Sequence, residues 1–221
     1  MKVPFVDLAA QHRPLRDEIL AAWEGILDSG QFVGGIEVAR FETEFADMHD
    51  VRHCVAVSNG TQALTLALRA LGVGPGDEVA LSTNTFIATA EAVSNVGAAP
   101  RLVDCDPVTR NIDVAAAGEA LADPRVRGVI AVHLYGLPAD LEALNEAASR
   151  HGAWVMEDAA QAHMARYRGR PVGGLGRIAA FSFYAAKNLG APGEGGAITT
   201  DGSALAERVR AAVAEVVRKQ T

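Results

Sequence analysis

The sequence predicts an α/β protein built on a mostly parallel seven-stranded sheet flanked by helices, and three observations predict it. Seven short apolar runs, CVAV, EVALS, PRLVDC, GVIAVHL, AWVME, AAFSFY and GAITT, are spread between residues 54 and 200. The first five are separated by segments with helical spacing of apolar residues: TQALTLALRAL, ATAEAVSNV, DVAAAGEAL and ADLEALNEAASRH. The runs read as strands buried on both faces and joined by helices, the mark of a largely parallel sheet. The last two are separated only by the turn-rich KNLGAPGEG, so this pair is where a single antiparallel strand is expected.

Taken in chain order, a short extended lead is followed by helical spacing from Leu15 to Leu27, which Asp28-Ser29-Gly30 stops. A second helix is expected from Ile36 to Met48, with Phe41 and Phe45 four apart on one face. These two helices make residues 1–50 an N-terminal helical segment ahead of an α/β domain over residues 51–221. Gly72-Val73-Gly74-Pro75-Gly76 follows a helix and carries a proline where amide donors would be needed, so it reads as a helix stop and turn rather than a dinucleotide loop. Asp201 is expected to cap a final helical segment, SALAERVRAAVAEVVRK. The chain then stops, as a complete protein or as the first part of a longer one. No internal repeat, linker or low-complexity segment interrupts it.

Composition narrows the function classes. The 221 residues are 49% hydrophobic and 21% charged, an ordinary globular balance. The net charge of -7, with Lys and Arg scattered singly, offers no basic footprint, so nucleic acid and anionic membrane are set aside as partners. Cys54 and Cys105 stand far apart, which indicates neither a disulfide framework nor a zinc motif and fits a cytoplasmic setting. The N-terminus lacks the apolar core of a signal peptide, and no stretch is long and apolar enough for a membrane span. His49, His53 and Cys54 look spaced for a metal, but the passage from helix to strand separates their side chains. His12, His133 and His151 read as surface or strand-end residues.

Three segments carry chemistry. Ser58-Asn59-Gly60-Thr61 lies between the first strand and a strongly helical run, where free N–H groups attract an anion; it reads equally as a phosphate cradle and as an ordinary helix cap. AWVMEDAAQAH ends a strand on Glu157-Asp158, at the sheet edge where α/β proteins bind ligands, although Asp158 alone reads as a turn cap. Lys187 sits within FSFYAAKNLGAPGEGGAITT, between two buried runs. A lysine in an apolar pocket with a lowered pKa is the usual Schiff-base amine, and the alternative is a lysine snorkelling from a turn into solvent. Together the segments supply a phosphate cradle, a carboxylate and an amine, the set that pyridoxal 5'-phosphate needs. Phe86 adds a flat surface on which its ring can stack, or else is a core phenylalanine at a helix start.

These residues have a family resemblance. NGTQALTLALRALGVGPGDEVALSTNTFIATAEAV, VHLYGLPADLEAL, MEDAAQAHMARYRG and FSFYAAKNLGAPGEGGAITT, with VPFVDLAAQ and GGIEVARFETEFA before them, resemble the DegT/DnrJ/EryC1/StrS aminotransferases, pyridoxal-phosphate enzymes of nucleotide-sugar and antibiotic-sugar biosynthesis. The resemblance runs from end to end of the chain. It implies a fold-type I PLP-dependent transferase large domain over residues 51–221. It implies transfer of an amino group from glutamate or glutamine to a nucleotide-linked keto-sugar, by a homodimer with its site at the subunit interface. By the same resemblance Lys187 holds the cofactor and moves the proton, Asp158 pairs with the pyridinium nitrogen and Gln161 bonds the ring hydroxyl. Phe86 stacks on the ring, and Gly60, Thr61 and Ser182 hold the phosphate.

Two departures qualify it. Met164 stands where the family usually has glycine, which is expected to narrow or reshape the sugar pocket. The C-terminal small domain of the family is missing from this chain, along with residues that close the substrate site, so cofactor binding is expected ahead of turnover. The family's sugar dehydratase branch has histidine in place of the Schiff-base lysine, and Lys187 argues against it. A non-catalytic protein that keeps the fold for association or regulation is the remaining alternative.

Overall fold

The computed structural model, which describes residue 3 and residues 6–218, turns each of the seven apolar runs into a strand of one sheet. These strands are β1 (His53–Val57), β2 (Glu78–Ser82), β3 (Ala99–Val103), β4 (Val126–Val132), β5 (Trp154–Asp158), β8 (Ile178–Ser182) and β9 (Gly196–Thr200). β6 (Arg166–Tyr167) and β7 (Arg170–Pro171) pair only with each other, in a hairpin too short to leave a periodic signal. The order across the large sheet is β1-β9-β8-β5-β4-β2-β3. β9 pairs antiparallel with both β1 and β8 and every other pair is parallel, so the one reversed strand lies in the expected pair. The run PRLVDC overshoots its strand, since Cys105 makes only an isolated bridge to Ile112.

Among the described residues there are eight α-helices: α1 (Leu8–His12), α2 (Arg16–Ser29), α3 (Gly35–Met48), α4 (Gly60–Ala70), α5 (Ile87–Asn95), α6 (Val114–Leu121), α7 (Leu141–Arg150) and α8 (Ser203–Arg218). α1 replaces part of the extended lead, because Asp7 Oδ1 accepts the Ala10 N–H and so starts a helix. Residues 1, 2, 4 and 5 of that lead, and Lys219 of the last helical segment, lie outside the described residues. Asn59, Asp113 and Asp140 cap α4, α6 and α7 by accepting the N–H of Gln62, Ala116 and Ala143. Asp201 does not cap α8. Its carboxylate is drawn across the chain to the Arg52 N–H at 3.0 Å, and the Gly202 carbonyl accepts the N–H groups of Leu205 and Ala206.

Side chains alternate across a strand, so the two faces carry separate cores. One face, with Ile130, Met156, Ile178 and Ile198, is covered by α4, α5 and α8 through Leu64, Leu68, Val93 and Leu205. The other is covered by α6 and α7 through Leu121 and Leu144, and by α3 through Phe45, which meets Phe181 edge-on at 5.0 Å. All but four residues of α4 are buried, whereas α1 and α2 bury none. The carboxyl ends of β1, β2, β4, β5 and β8 therefore open at one sheet edge, beside the N-termini of α4 and α5. No described helix is long and apolar enough to cross a membrane.

Candidate active site

At that edge lies a cleft of about 820 Å³, and Gly60, Thr61, Phe86, Asp158, Gln161, Ser182 and Lys187 all line it. They come from four loops that the sequence separates by up to 127 residues, from Gly60 to Lys187 (187 less 60). Parallel strands joined by helices bring their carboxyl ends to one edge, which is why the loops meet.

The start of α4 forms one wall. A Cβ on Gly60 would stand 2.5 Å from the Ser182 Cβ, so only glycine lets the helix approach the end of β8 this closely. The Asn59 side chain satisfies the Gln62 N–H at 2.8 Å, and the Asn59 carbonyl takes the Ala63 N–H. The N–H groups of Gly60 and Thr61 have no acceptor among the described residues and open on the cleft. The cap and the anion cradle are thus the same structure. Ser182, nearly buried beside them, accepts the Tyr184 N–H at its Oγ and keeps its own proton to donate.

Asp158 ends β5 with its carboxylate almost buried; Oδ2 accepts from Thr89 Oγ1 at 2.9 Å and Oδ1 from the Ala160 N–H at 3.2 Å. The turn cap is therefore real but takes only part of the carboxylate. Burial pushes its carboxyl above the usual range, and the bonds from Ala160 and Thr89, with the fields of His133 and Lys187, offset only part of that. Gln161 turns its Oε1 to the Tyr135 N–H at 2.7 Å, in a tight turn where Tyr135 has φ 54. Its amide nitrogen has no acceptor among the described residues. Phe86 is 65% exposed at the start of α5, so it is a ring on the cleft wall and not a core residue.

Lys187 lies in the loop between β8 and β9, its N–H bonded to the Tyr184 carbonyl at 2.8 Å. Of the two readings open for this lysine, the structure gives something between: the chain leaves the sheet after Phe183, and Lys187 is half-buried on a cleft lined by both apolar and polar side chains. Met164 is not among the residues lining this cleft, and what distinguishes it is a left-handed backbone, φ 63, in the turn closed by the Ala165 N–H and the Ala162 carbonyl at 3.0 Å.

Sequence reasoning missed the residues that hold these groups. Thr89 has no motif, and its role comes from the packing of α5 against the sheet. His133 follows β4, as a strand-end residue does, yet it is wholly buried against Glu157, which is wholly buried too. The Ala139 N–H is received by His133 Nδ1 at 3.1 Å, so the ring proton sits on Nε2 and is donated to Glu157 Oε2 at 3.0 Å. The same carboxylate accepts the N–H groups of Gly173, Leu175 and Gly176 at 2.7–2.8 Å. The one available signal was a glutamate ending an apolar run. Elsewhere, His49 Nδ1 bonds the Val172 carbonyl while His53 faces Ser203, and burial pushes the Cys54 thiol up to about 12.

The profile of the DegT/DnrJ/EryC1/StrS aminotransferase family matches residues 14–220. The chain is 50% identical, over 95% of its length, to a dTDP-3-amino-3,4,6-trideoxy-alpha-D-glucose transaminase of Streptomyces venezuelae, of which it covers 55%. Among solved structures, that of Streptomyces venezuelae DesV in complex with a ketimine intermediate superposes with a TM-score of 0.91 at 50% identity, covering 95% of this chain and 56% of the other. NtdA from Bacillus subtilis, solved with bound cofactor PMP, gives a TM-score of 0.87 at 33% identity, covering 94% and 47%. The chain spans about half the length of the curated relatives it matches.

Proposed function

Because the chain belongs to the DegT/DnrJ/EryC1/StrS aminotransferase family, we propose that it is the large-domain portion of a pyridoxal-phosphate transaminase, one that moves an amino group from glutamate or glutamine to a nucleotide-linked keto-sugar in amino-sugar, polysaccharide or antibiotic biosynthesis. The observation that carries this reading is the convergence of an amine, a carboxylate and an unsatisfied helix N-terminus in one cleft. The donor set fits the cofactor: two free N–H groups and a hydroxyl for a phosphate, a buried acid for a protonated ring nitrogen, and a lysine for an aldehyde.

When bound, pyridoxal phosphate supplies an electron sink next to the reacting carbon. The chain's own residues do the rest. Gly60 and Thr61 N–H and the Ser182 hydroxyl would anchor the phosphate. Asp158, held by Thr89, would keep the ring nitrogen protonated, and its incomplete bonding leaves it free to take that N–H. Gln161 would donate its amide N–H to the ring hydroxyl, and Phe86 would lie against the ring. Lys187 would hold the aldehyde carbon and, once released, accept and return a proton at Nζ. The proposal includes a helical segment over residues 1–50, a cofactor-binding domain over 51–221, a cytoplasmic homodimer, and residues beyond this chain that complete the sugar site.

Lysine at position 187 favours transamination over the dehydratase chemistry of the family's histidine-bearing branch. The chain with added pyridoxal phosphate is expected to turn yellow and to lose the band in Lys187→Ala; a colourless but folded dimer supports the non-catalytic alternative instead. The chain, charged with pyridoxamine phosphate and joined to the C-terminal part of a relative, is expected to return to the aldehyde form with one of a panel of nucleotide keto-sugars. No conversion with any of them removes the substrate assignment.

A further inference from the structure

Between the strand that carries Asp158 and the loop that carries Lys187 runs a connection through a single histidine. Five residues beyond Asp158, His163 turns under the sheet and packs its ring against Phe183 at 5.3 Å and Phe181 at 5.6 Å. It is nearly buried. From there His163 Nδ1 meets Asn188 Oδ1 at 2.8 Å, and Asn188 Nδ2 returns to the His163 carbonyl at 3.4 Å. The carbonyl only accepts, so the Asn188 amide must turn its nitrogen to it and its oxygen to the ring. That oxygen also only accepts, so the ring proton sits on Nδ1. Nε2 is left as a buried lone pair with the Ser182 backbone near it but no partner at hydrogen-bond geometry among the described residues. Burial holds the imidazole below its usual pKa, with the Asn188 bond and the Ser182 backbone offsetting part of the effect, which agrees with a neutral ring.

An unpartnered buried nitrogen costs stability, and a ring kept in that state for packing alone would be better replaced by an apolar one. What the histidine adds is the tether to Asn188, the residue bonded directly to Lys187. On its other side Lys187 is held by its own N–H to Tyr184. We propose that His163 is a positioning residue: with Asn188 it clamps the loop so that the Lys187 amine is held in the cleft beside Asp158. The inference rests on the functional reading of Lys187 given above.

The chain has three lysines, Lys2, Lys187 and Lys219. Limiting pyridoxal phosphate followed by borohydride reduction and peptide mapping measures how strongly Lys187 is preferred over the other two, without any turnover. In His163→Leu and in Asn188→Leu the preference is expected to fall about five- to tenfold, the weight of one lost hydrogen bond, while circular dichroism stays native. His163→Asn, which keeps a donor near Nδ1, is expected to recover most of it, and the double Leu variant to be no worse than either single. Unchanged preference in Asn188→Leu, or no recovery in His163→Asn, overturns the clamp and leaves the functional reading in place. A wild-type chain with no preference for Lys187 overturns both.

Discussion

Glu157 and Asp158 are neighbours on one strand, yet the structure treats them as opposites. Glu157 points to the face covered by α3, α6 and α7, where four donors saturate it. Burial alone would push its carboxyl up, but the bonds from His133, Gly173 and Gly176 more than offset this and hold it below the usual range. Asp158 points to the other face with two donors and remains raised. The difference teaches how to tell a structural acid from a ligand-binding one. The first has no bonding capacity left, and the second is kept short of partners at some cost to the fold.

The largest expected effect breaks the saturated side. Glu157→Leu leaves three backbone N–H groups and the His133 N–H buried without acceptors, so unfolding free energy is expected to drop by about 3–5 kcal/mol, as for other broken buried pairs. Denaturant titration measures it. Glu157→Gln keeps one oxygen for Leu175 and Gly176 and is expected to lose less. A loss under about 1 kcal/mol in Glu157→Leu would mean that the carboxylate is not what ties the 173–176 loop and His133 to β5.

On the cleft side the corresponding test is Gly60→Ala. The added methyl overlaps the Ser182 Cβ, forcing α4 off the end of β8, and overpacking of this kind costs about 1–3 kcal/mol. Capture of pyridoxal phosphate is expected to weaken with it, because the N–H groups at 60 and 61 move. Combining it with Ser182→Gly removes the other half of the overlap and is expected to restore the melting temperature but not the capture, since the hydroxyl is gone.

Asp158→Asn sharpens the contrast in sign. A carboxyl whose folded pKa is raised contributes stability below its unfolded pKa and loses it as pH rises through the folded value. The unliganded Asn variant is therefore expected to be more stable than the parent by about 1 kcal/mol at neutral pH, the gap closing on acidification as Asp158 takes a proton. Glu157 behaves in reverse: its stabilisation is present above the usual carboxylate range and lost as pH falls through its lowered folded value. Melting curves of both parent and variant from neutral to acid pH separate the two.

The same two faces show what a sequence reveals. All seven strands were legible as short runs rich in apolar residues, a local property, but burial on both faces fails for β3, an edge strand that carries Arg101 and buries only Val103. The cleft residues were legible too, since loops after parallel strands converge whatever the order of those strands. His133 was not, because its partner is 24 residues away and the pairing depends on β4 lying beside β5 in register, Val132 opposite Asp158. Thr89 was hidden for the same reason, 69 residues from Asp158. The burial of Lys187 is not legible, since two buried flanks do not say how far the loop between them rises. Asp201 looked like a cap until Arg52, 149 residues earlier, claimed its carboxylate.

The smallest effect belongs to the turn that joins the faces. Met164 takes the third position of the Ala162–Ala165 turn at φ 63, where a side chain costs about 1 kcal/mol over glycine. Glycine also loosens the unfolded chain by about 0.5–1 kcal/mol, so the two terms nearly cancel. Met164→Gly is expected to change stability by less than about 0.5 kcal/mol, whereas Met164→Val, whose branched Cβ tolerates this backbone worst, is expected to lose about 1–2. Because Met164 follows His163, the strain should reach the Lys187 loop only through that ring. Met164→Gly is therefore expected to leave the preference for Lys187 in pyridoxal phosphate trapping unchanged, and Met164→Val to reduce it in proportion to its loss of stability. A glycine variant with altered preference but unaltered stability would show that the methionine acts on the cleft directly, against its placement outside the cleft walls.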